Sequence, residues 1–256
     1  MIHSTAIISE KADIAADVSI GPYVVIGDDV SIGGGTQIDS HVVLNGPTKI
    51  GENNHIYQFA SIGDDPQDKK YANEPTSLVI GNRNTIREFC TISRGTTQDR
   101  GETIVGDDNW IMAYVHIAHD CVVGNKTIMA NNTTLAGHVH VGDWVICGGF
   151  SGVHQFCKIG AHAFLGMYCG VNRDVPAYTM VSGQPAVPRG INGEGLKRRD
   201  YSAEQIRNIK NAYRLTFRKG KKLSEAIEEI TVLCEQQPEL EPYLESLRSS
   251  ERGVVR

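Results

Sequence analysis

An apolar residue at every sixth position constrains this chain more than any other feature. From Ile2 the step runs through Ile8, Ile14, Ile20, Ile26, Ile32, Ile38, Leu44, Ile50, Ile56 and Ile62, and the phase returns at Ile80, Ile86 and Ile92. It restarts one residue out of step at Val105. From there it runs through Ile111, Ile117, Val123, Met129, Leu135, Val141, Cys147, Val153, Ile159, Leu165 and Val171 to Ala177. In a chain that is 40% apolar, finding all 27 positions apolar at fixed phase has a chance probability on the order of 10^-11.

A second set lies four residues after the first: Val18, Val24, Val30, Thr36, Val42, Thr48, Ala60, Val115, Thr127, Thr133, Val139 and Val145. These are small or β-branched, as strand residues in a narrow interior should be. Cys90, Cys121, Cys157 and Cys169 share the slot and read as small buried residues. Two inward residues per six predict three short strands per coil, a parallel β-solenoid of about 18 residues per turn. Each coil then buries its side chains only by stacking on its neighbours. Twelve of the 27 positions are followed by glycine, as in "IGPYVVIGDDVSIGGG", which predicts tight turns with unusual backbone angles.

Two stretches break the period. Between Ile62 and Ile80 the expected slots hold Asp68 and Glu74, so "GDDPQDKKYANEPTS" leaves the coil as an excursion near 63–79. "SRGTTQDRGETI" makes a shorter one near 93–104. Loops on a rigid scaffold are where binding groups tend to sit. After about residue 190 the pattern turns helical. Ser202 and Gln205 form a capping box before Ile206, Ile209, Tyr213 and Phe217, and Gly220 ends that helix. A second helix is predicted from about Ser224 to Gln237, and a third near Pro242. The expected organisation is a solenoid over 1–190 and a C-terminal α-helical domain over 191–256.

Composition narrows the function classes. A net charge of −5 offers no basic face for broad nucleic-acid binding, and no run of 18 apolar residues predicts a membrane span. The start "MIHSTAIISEKAD" lacks a secretory pattern and the six cysteines form no CxxC pair, so a cytoplasmic location is expected. One basic stripe stands out on the acidic chain. Arg207, Lys210, Arg214 and Arg218 line one face of the first long helix, just after "LKRR" with its Arg198. Such a stripe suits an acidic partner or a solvated helix face.

The stretch "YVHIAHDCVVG" carries the chemistry. With Val115 and Ile117 inward, His116 points outward by strand alternation, and His119 faces out at the following corner. Residues 18 apart stack in neighbouring coils, so Gly137 falls on His119 with His138 beside it. One coil further, "VHQF" brings His154 and Gln155 to the same edge. His119 suits a general base, with Asp120 orienting its imidazole. Gly137, lacking a side chain, would let a reacting carbonyl approach its backbone N–H as an oxyanion site requires. That set serves acyl transfer to a hydroxyl without a covalent intermediate. Zinc is the competing use of histidines on such a scaffold. Solenoid carbonic anhydrases pair histidines five apart, and no two of the nine here differ by five, so no metal site is expected.

"HVVLNGPTKIG", "IYQFASIG", "QDKKYANEPT", "HIAHDC", "NNTTLAGHV", "VHQFC", "IGAH" and "EGLKRR" together closely resemble the UDP-N-acetylglucosamine O-acyltransferase family of lipid A biosynthesis over the whole chain. The resemblance implies a left-handed parallel β-helix and a homotrimer with sites between subunits. It implies transfer of an (R)-3-hydroxyacyl group from the phosphopantetheine of acyl carrier protein to the 3-hydroxyl of UDP-N-acetylglucosamine, with no resident cofactor. In these terms His119 is the general base, Asp120 its partner and Gly137 the oxyanion donor. His116 places substrate, and His138 flanks the reacting centre. Asp68 and Lys70 contact the sugar and its acyl group, while His154 and Gln155 bind the sugar nucleotide. Asn192, Glu194 and Arg199 hold the nucleoside and diphosphate, and the basic stripe meets the carrier protein. Met167 in "FLGMYCG" sits at the family's hydrocarbon-ruler position, where some members have glycine, which implies a shorter acyl chain. The alternatives are a related N-acyltransferase acting on a later sugar nucleotide, or a non-enzymatic structural solenoid. The first carries a domain ahead of its solenoid, whereas here the repeat begins at Ile2. The second wants flat ladders of outward threonines, not "HIAHD" and charged loops.

Overall fold

The computed structural model describes residues 1–256. The six-residue period folds as three faces of parallel strands, mostly two residues long, visited in turn by each coil of a left-handed parallel β-helix. The first face has nine strands, from Ile7–Ile8 to Gly170–Val171, and the second has eight, from Asp13–Ile14 to Lys158–Ile159. The third face has ten, and its last two, Thr179–Ser182 and Val187–Ile191, form an antiparallel hairpin that the period does not announce. From Val18 onward both inward sets are buried, and their apolar members up to Val171 join one core of 41 residues, whereas Ile2 at the open first coil is exposed and Ile8 and Ile14 are half-buried. Each fully buried isoleucine in such a stack contributes roughly 1.5–3 kcal/mol, which two-residue strands need to persist.

The glycines after the inward residues work differently from the expectation. Among those twelve only Gly63 has a positive φ. The left-handed corner positions fall three residues after the inward residue and hold Tyr23, Asp29, Asn53, Asp120, His138 and their equivalents. The glycines answer to close approach instead. A Cβ on Gly51 would lie 2.7 Å from the Gly81 carbonyl oxygen, and one on Gly106 would lie 2.7 Å from that of Gly124. Coils 4.8 Å apart leave no room there for a side chain.

Asn54, Asn84 and Asn109 fill the second inward slot in three successive coils and are buried. Asn84 Nδ2 donates to Asn54 Oδ1 (3.1 Å) and to the Gly106 carbonyl (2.9 Å), and its Oδ1 accepts from the Asn109 N–H (2.9 Å). This polar ladder pins the coils that carry the two loops.

The predicted capping box at Ser202 and Gln205 is formed, and helix α2 (Ala203–Phe217) follows the short α1 (Gly193–Lys197). Helix α3 (Leu223–Cys234) stops short of Gln237, and a 3-10 turn at Pro238–Leu240 leads into α4 (Glu241–Arg248). These helices pack on the last coil through Tyr178, Ile209, Ile230 and Tyr243. The chain end then returns to the solenoid. Buried Asp174 accepts from Ser250 Oγ and the Glu251 N–H, and Val255 enters the main core.

Asn84→Ala should cost about 2–4 kcal/mol, because it strands the buried Asn109 N–H and Gly106 carbonyl. Urea unfolding would measure this, and a loss well under 1 kcal/mol would mean that other partners replace the ladder.

Candidate active site

Both loops leave the solenoid between the first and second faces. Ile62 pairs with Ile92 and Ile92 with Ile117, so residues 65–76 and 94–101 project from the same edge as His119. Buried Arg94 joins them, its guanidinium donating to the Gly63 carbonyl, to the Asp65 carboxylate and to Tyr71 Oη. Asp68 and Lys70 sit on the first loop, where Asp68 Oδ1 accepts from the Lys70 N–H (2.9 Å) and the Lys70 side chain is exposed.

On this edge His119 lies against Gly137, as its 18-residue offset requires. A Cβ at Gly137 would come within 2.6 Å of His119 Nε2, so only glycine fits beneath the ring. The Gly137 N–H donates to no other protein group. His119 Nδ1 is 2.8 Å from Asp120 Oδ2, and the Asp120 side chain is fully buried. Burial pushes the Asp120 carboxyl pKa up, but hydrogen bonds from His119 and from Thr96 outweigh it and hold it below the ordinary value. Asp120 is therefore an acceptor-only carboxylate at neutral pH, so His119 Nδ1 donates and Nε2 carries the lone pair.

The second loop supplies groups that the sequence reading missed. The Thr96 N–H and Oγ1 both donate to Asp120 (3.0 and 2.6 Å), and Thr103 Oγ1 accepts the Asp120 N–H (2.8 Å). Asp99 Oδ2 lies 2.8 Å from His138 Nδ1. The interruptions after Ile62 and Ile92 mark both loops in the sequence, but spacing gives no loop's side-chain direction. His138 stacks on Phe156 at 4.2 Å and meets His119 edge-on at 4.9 Å. His119, Asp120 and His138 also bring potential ligand atoms within 4.8 Å of one another, a cluster that a search for histidines five apart overlooks. His116 is half-buried on the first face with Nδ1 2.7 Å from Thr91 Oγ1. Its pKa is lowered by burial and then by His119. His154 and Gln155 are exposed on the next coil of the same edge. Cys121 is buried, with its pKa pushed up to about 12, and is no nucleophile.

The remaining predicted residues lie on other edges. Asn192 caps α1, and its Nδ2 donates to the His162 carbonyl (2.9 Å) on the edge between the second and third faces. Arg199 reaches the same edge, 3.0 Å from His162 Nδ1 and over the Trp144 ring at 4.8 Å. Burial and then Arg199 lower His162 to a pKa of about 4, so it accepts from the guanidinium. Glu194 is exposed and paired with Lys197 at 2.8 Å. Met167 stands on the third edge, 62% exposed, which rules out simple core packing. Its neighbour Tyr168 lines a cavity of about 660 Å³ that crosses the first face to His154, with Thr134, Phe150 and Gln184. Arg198, Arg207, Lys210, Arg214 and Arg218 are all exposed, as a docking stripe requires.

Asp120 carries a pH signature. Its folded pKa lies below the unfolded value, so its stabilising contribution is complete at neutral pH and is lost as pH falls below about 4 toward the folded value. The stability gap between wild type and Asp120→Asn should therefore shrink between pH 7 and pH 3 in thermal melts. A gap that stayed constant would mean that Asp120 titrates in the folded protein as it does in the unfolded chain, and a gap that moved in favour of the wild type as pH fell would mean that it is protonated when folded.

Known proteins resemble this chain over its whole length. The family described as "Udp N-acetylglucosamine O-acyltransferase; Domain 2" matches residues 174–255, and "Bacterial transferase hexapeptide (six repeats)" matches residues 102–137. The acyl-[acyl-carrier-protein]–UDP-N-acetylglucosamine O-acyltransferase of Thiobacillus denitrificans is 58% identical over 100% of this chain and 99% of that protein. Its counterpart in Stutzerimonas stutzeri is 53% identical over the same shares. The crystal structure of the Moraxella catarrhalis UDP-N-acetylglucosamine O-acyltransferase superposes with a TM-score of 0.98 at 50% identity, covering 100% of this chain and 99% of that one. The Francisella novicida UDP-N-acetylglucosamine acyltransferase also reaches 0.98, at 45% identity over 100% and 94%. Similarity of this extent over the whole length shows that the chain belongs to the acyl-[acyl-carrier-protein]–UDP-N-acetylglucosamine O-acyltransferase family.

Proposed function

We propose that this protein transfers an (R)-3-hydroxyacyl group from acyl carrier protein to the 3-hydroxyl of UDP-N-acetylglucosamine. The observation that carries this reading is the His119 imidazole, bonded at Nδ1 to buried Asp120 and without a partner at Nε2, packed against Gly137, whose N–H is unengaged within the chain. His119 Nε2 takes the proton of the sugar hydroxyl as its oxygen attacks the thioester carbonyl carbon. The carbonyl oxygen gains charge facing the Gly137 N–H. When the C–S bond breaks, the proton held on His119 passes to the leaving thiolate. Asp120 stabilises the imidazolium in between and stays ionised.

In this reading Lys70 and Asp68 hold the sugar and acyl group, while His116, His138, His154 and Gln155 line the substrate. Asn192, Glu194 and Arg199 take the nucleoside and diphosphate, and Arg198 with the α2 stripe receives the carrier protein. The protein works as a homotrimer. Within one chain the groups assigned to chemistry, to the nucleoside and diphosphate, and to acyl length lie on three different edges, and a neighbouring copy would bring them together. Exposed Trp110 and Ile128 on the third face, with Phe150, Met167 and Tyr168 beside them, suit burial against that copy.

His119→Ala should keep the fold and lower kcat by about 10²–10⁴; full activity in this variant would remove the base assignment. The reaction itself is tested with UDP-N-acetylglucosamine and a panel of 3-hydroxyacyl carrier proteins of increasing length. Turnover should peak at a short chain in the wild type and move to longer chains in Met167→Gly, the discrimination amounting to roughly 1–3 kcal/mol. Turnover without the shift would take the ruler role from Met167. Absence of turnover with every chain would reject the function.

A further inference from the structure

Four histidines surround the candidate site, and their Nδ1 partners sort them. His154 Nδ1 lies 3.2 Å from the carbonyl of its own neighbour Gln155, and His116 Nδ1 lies against the Thr91 hydroxyl. Only His119 and His138 have a carboxylate within hydrogen-bond reach there, from Asp120 and Asp99 respectively, each at 2.8 Å, while Asp120 Oδ2 stands 3.8 Å from His138 Nδ1, beyond that reach. The His138 side chain is 10% exposed and its ring is clamped face-on by Phe156, so the hydrogen bond at Nδ1 sets its remaining freedom. Asp99 is held in turn. The loop bearing it is bonded to Asp120 through Thr96, and the Gly101 N–H closes it by donating to the Thr96 carbonyl (3.0 Å). The Asp99 carboxylate has no other hydrogen-bond partner within the chain, so it is free to serve His138 alone.

We infer that Asp99 is a positioning residue that fixes His138 with its proton on Nδ1, so that Nε2 faces bound substrate as a second hydrogen-bond acceptor beside the His119 base. A carboxylate only accepts, so a neutral His138 must donate from Nδ1 and carry its lone pair at Nε2. Released from Asp99, the ring would sample the other tautomer and present an N–H to the substrate instead. The group recognised is a substrate hydroxyl or amide N–H, and either the sugar nucleotide or the pantetheine arm of the donor offers one. This inference rests on the proposed acyl transfer.

The test measures Asp99→Ala and Asp99→Glu against wild type, varying UDP-N-acetylglucosamine and the acyl carrier protein separately. Long-range proton–nitrogen spectra of 15N-histidine-labelled protein read the His138 tautomer, with His138→Gln used to assign the signal. Asp99→Ala should melt like the wild type, lose the pure Nδ1–H signature and lose about 10–100-fold in kcat/KM. Asp99→Glu should recover much of that loss. A loss carried by KM for the sugar nucleotide places the donor group on the acceptor substrate, whereas one carried by KM for the carrier protein places it on the pantetheine arm. Unchanged kinetics in Asp99→Ala would overturn the inference, whatever the tautomer does. A wild type that turns over no acyl chain would reject the functional reading and this inference with it, and it is told apart because the tautomer is read without substrate.

Discussion

The stacking of one coil on the next is the constraint from which the rest follows. Strand hydrogen bonds fix the rise, inward isoleucines and valines fix the lateral register, and glycine on glycine closes the corners where successive backbones touch. A residue and its partner one coil later are then set as firmly as neighbours on a single strand. His119, Gly137 and His138 inherit this precision, because a register slip in any core column would separate them. A loop-built site would have to obtain the same positioning from its own packing.

Charge at the site is held by the same architecture. A fully buried carboxylate such as Asp120 is costly unless its oxygens are satisfied. Thr96 and His119 satisfy it, and Thr96 is in place only because the chain leaves the coil after Thr91–Ser93. The second loop and the buried charge therefore stabilise one another. Arg94 at the root of that loop extends the coupling to the first loop, which carries Asp68 and Lys70.

The strict period made the solenoid, its inward columns and the stacking of Gly137 on His119 legible, because a step of six leaves one way to bury all those apolar residues. The capping box at Ser202 was equally local and equally readable. Where the reading fell short, the cause was non-local. A glycine after an inward residue reads in the sequence as a turn residue, although the need comes from the neighbouring coil. Asn54, Asn84 and Asn109 interrupt the apolar second column, and their role exists only as a ladder across coils. Thr96 and Asp99 lie in a stretch without periodicity, so nothing in their spacing tells which side chain turns back toward the edge. Asp68, Lys70, Asn192, Glu194 and Arg199 carry no signal of their own and came from the resemblance alone.

The triangular cross-section bears directly on the proposed homotrimer. Its faces are nearly flat and its edges convex, so side chains at a corner diverge instead of enclosing a ligand. The two loops supply one wall beside His119, yet Arg199 and Met167 stand on the other two edges of the same prism. No hinge in a stacked solenoid can swing one edge toward another. In the proposed homotrimer a neighbouring copy would supply the wall opposite His119, and a threefold arrangement would give every copy the same complement. Thr134, Gly152 and Gly170, outward on the first face in three successive coils, keep that face low, which suits the close approach of a copy in the proposed trimer. The repeat that makes each chain rigid is thus also what the proposed trimer would use to set one copy's edge against another's.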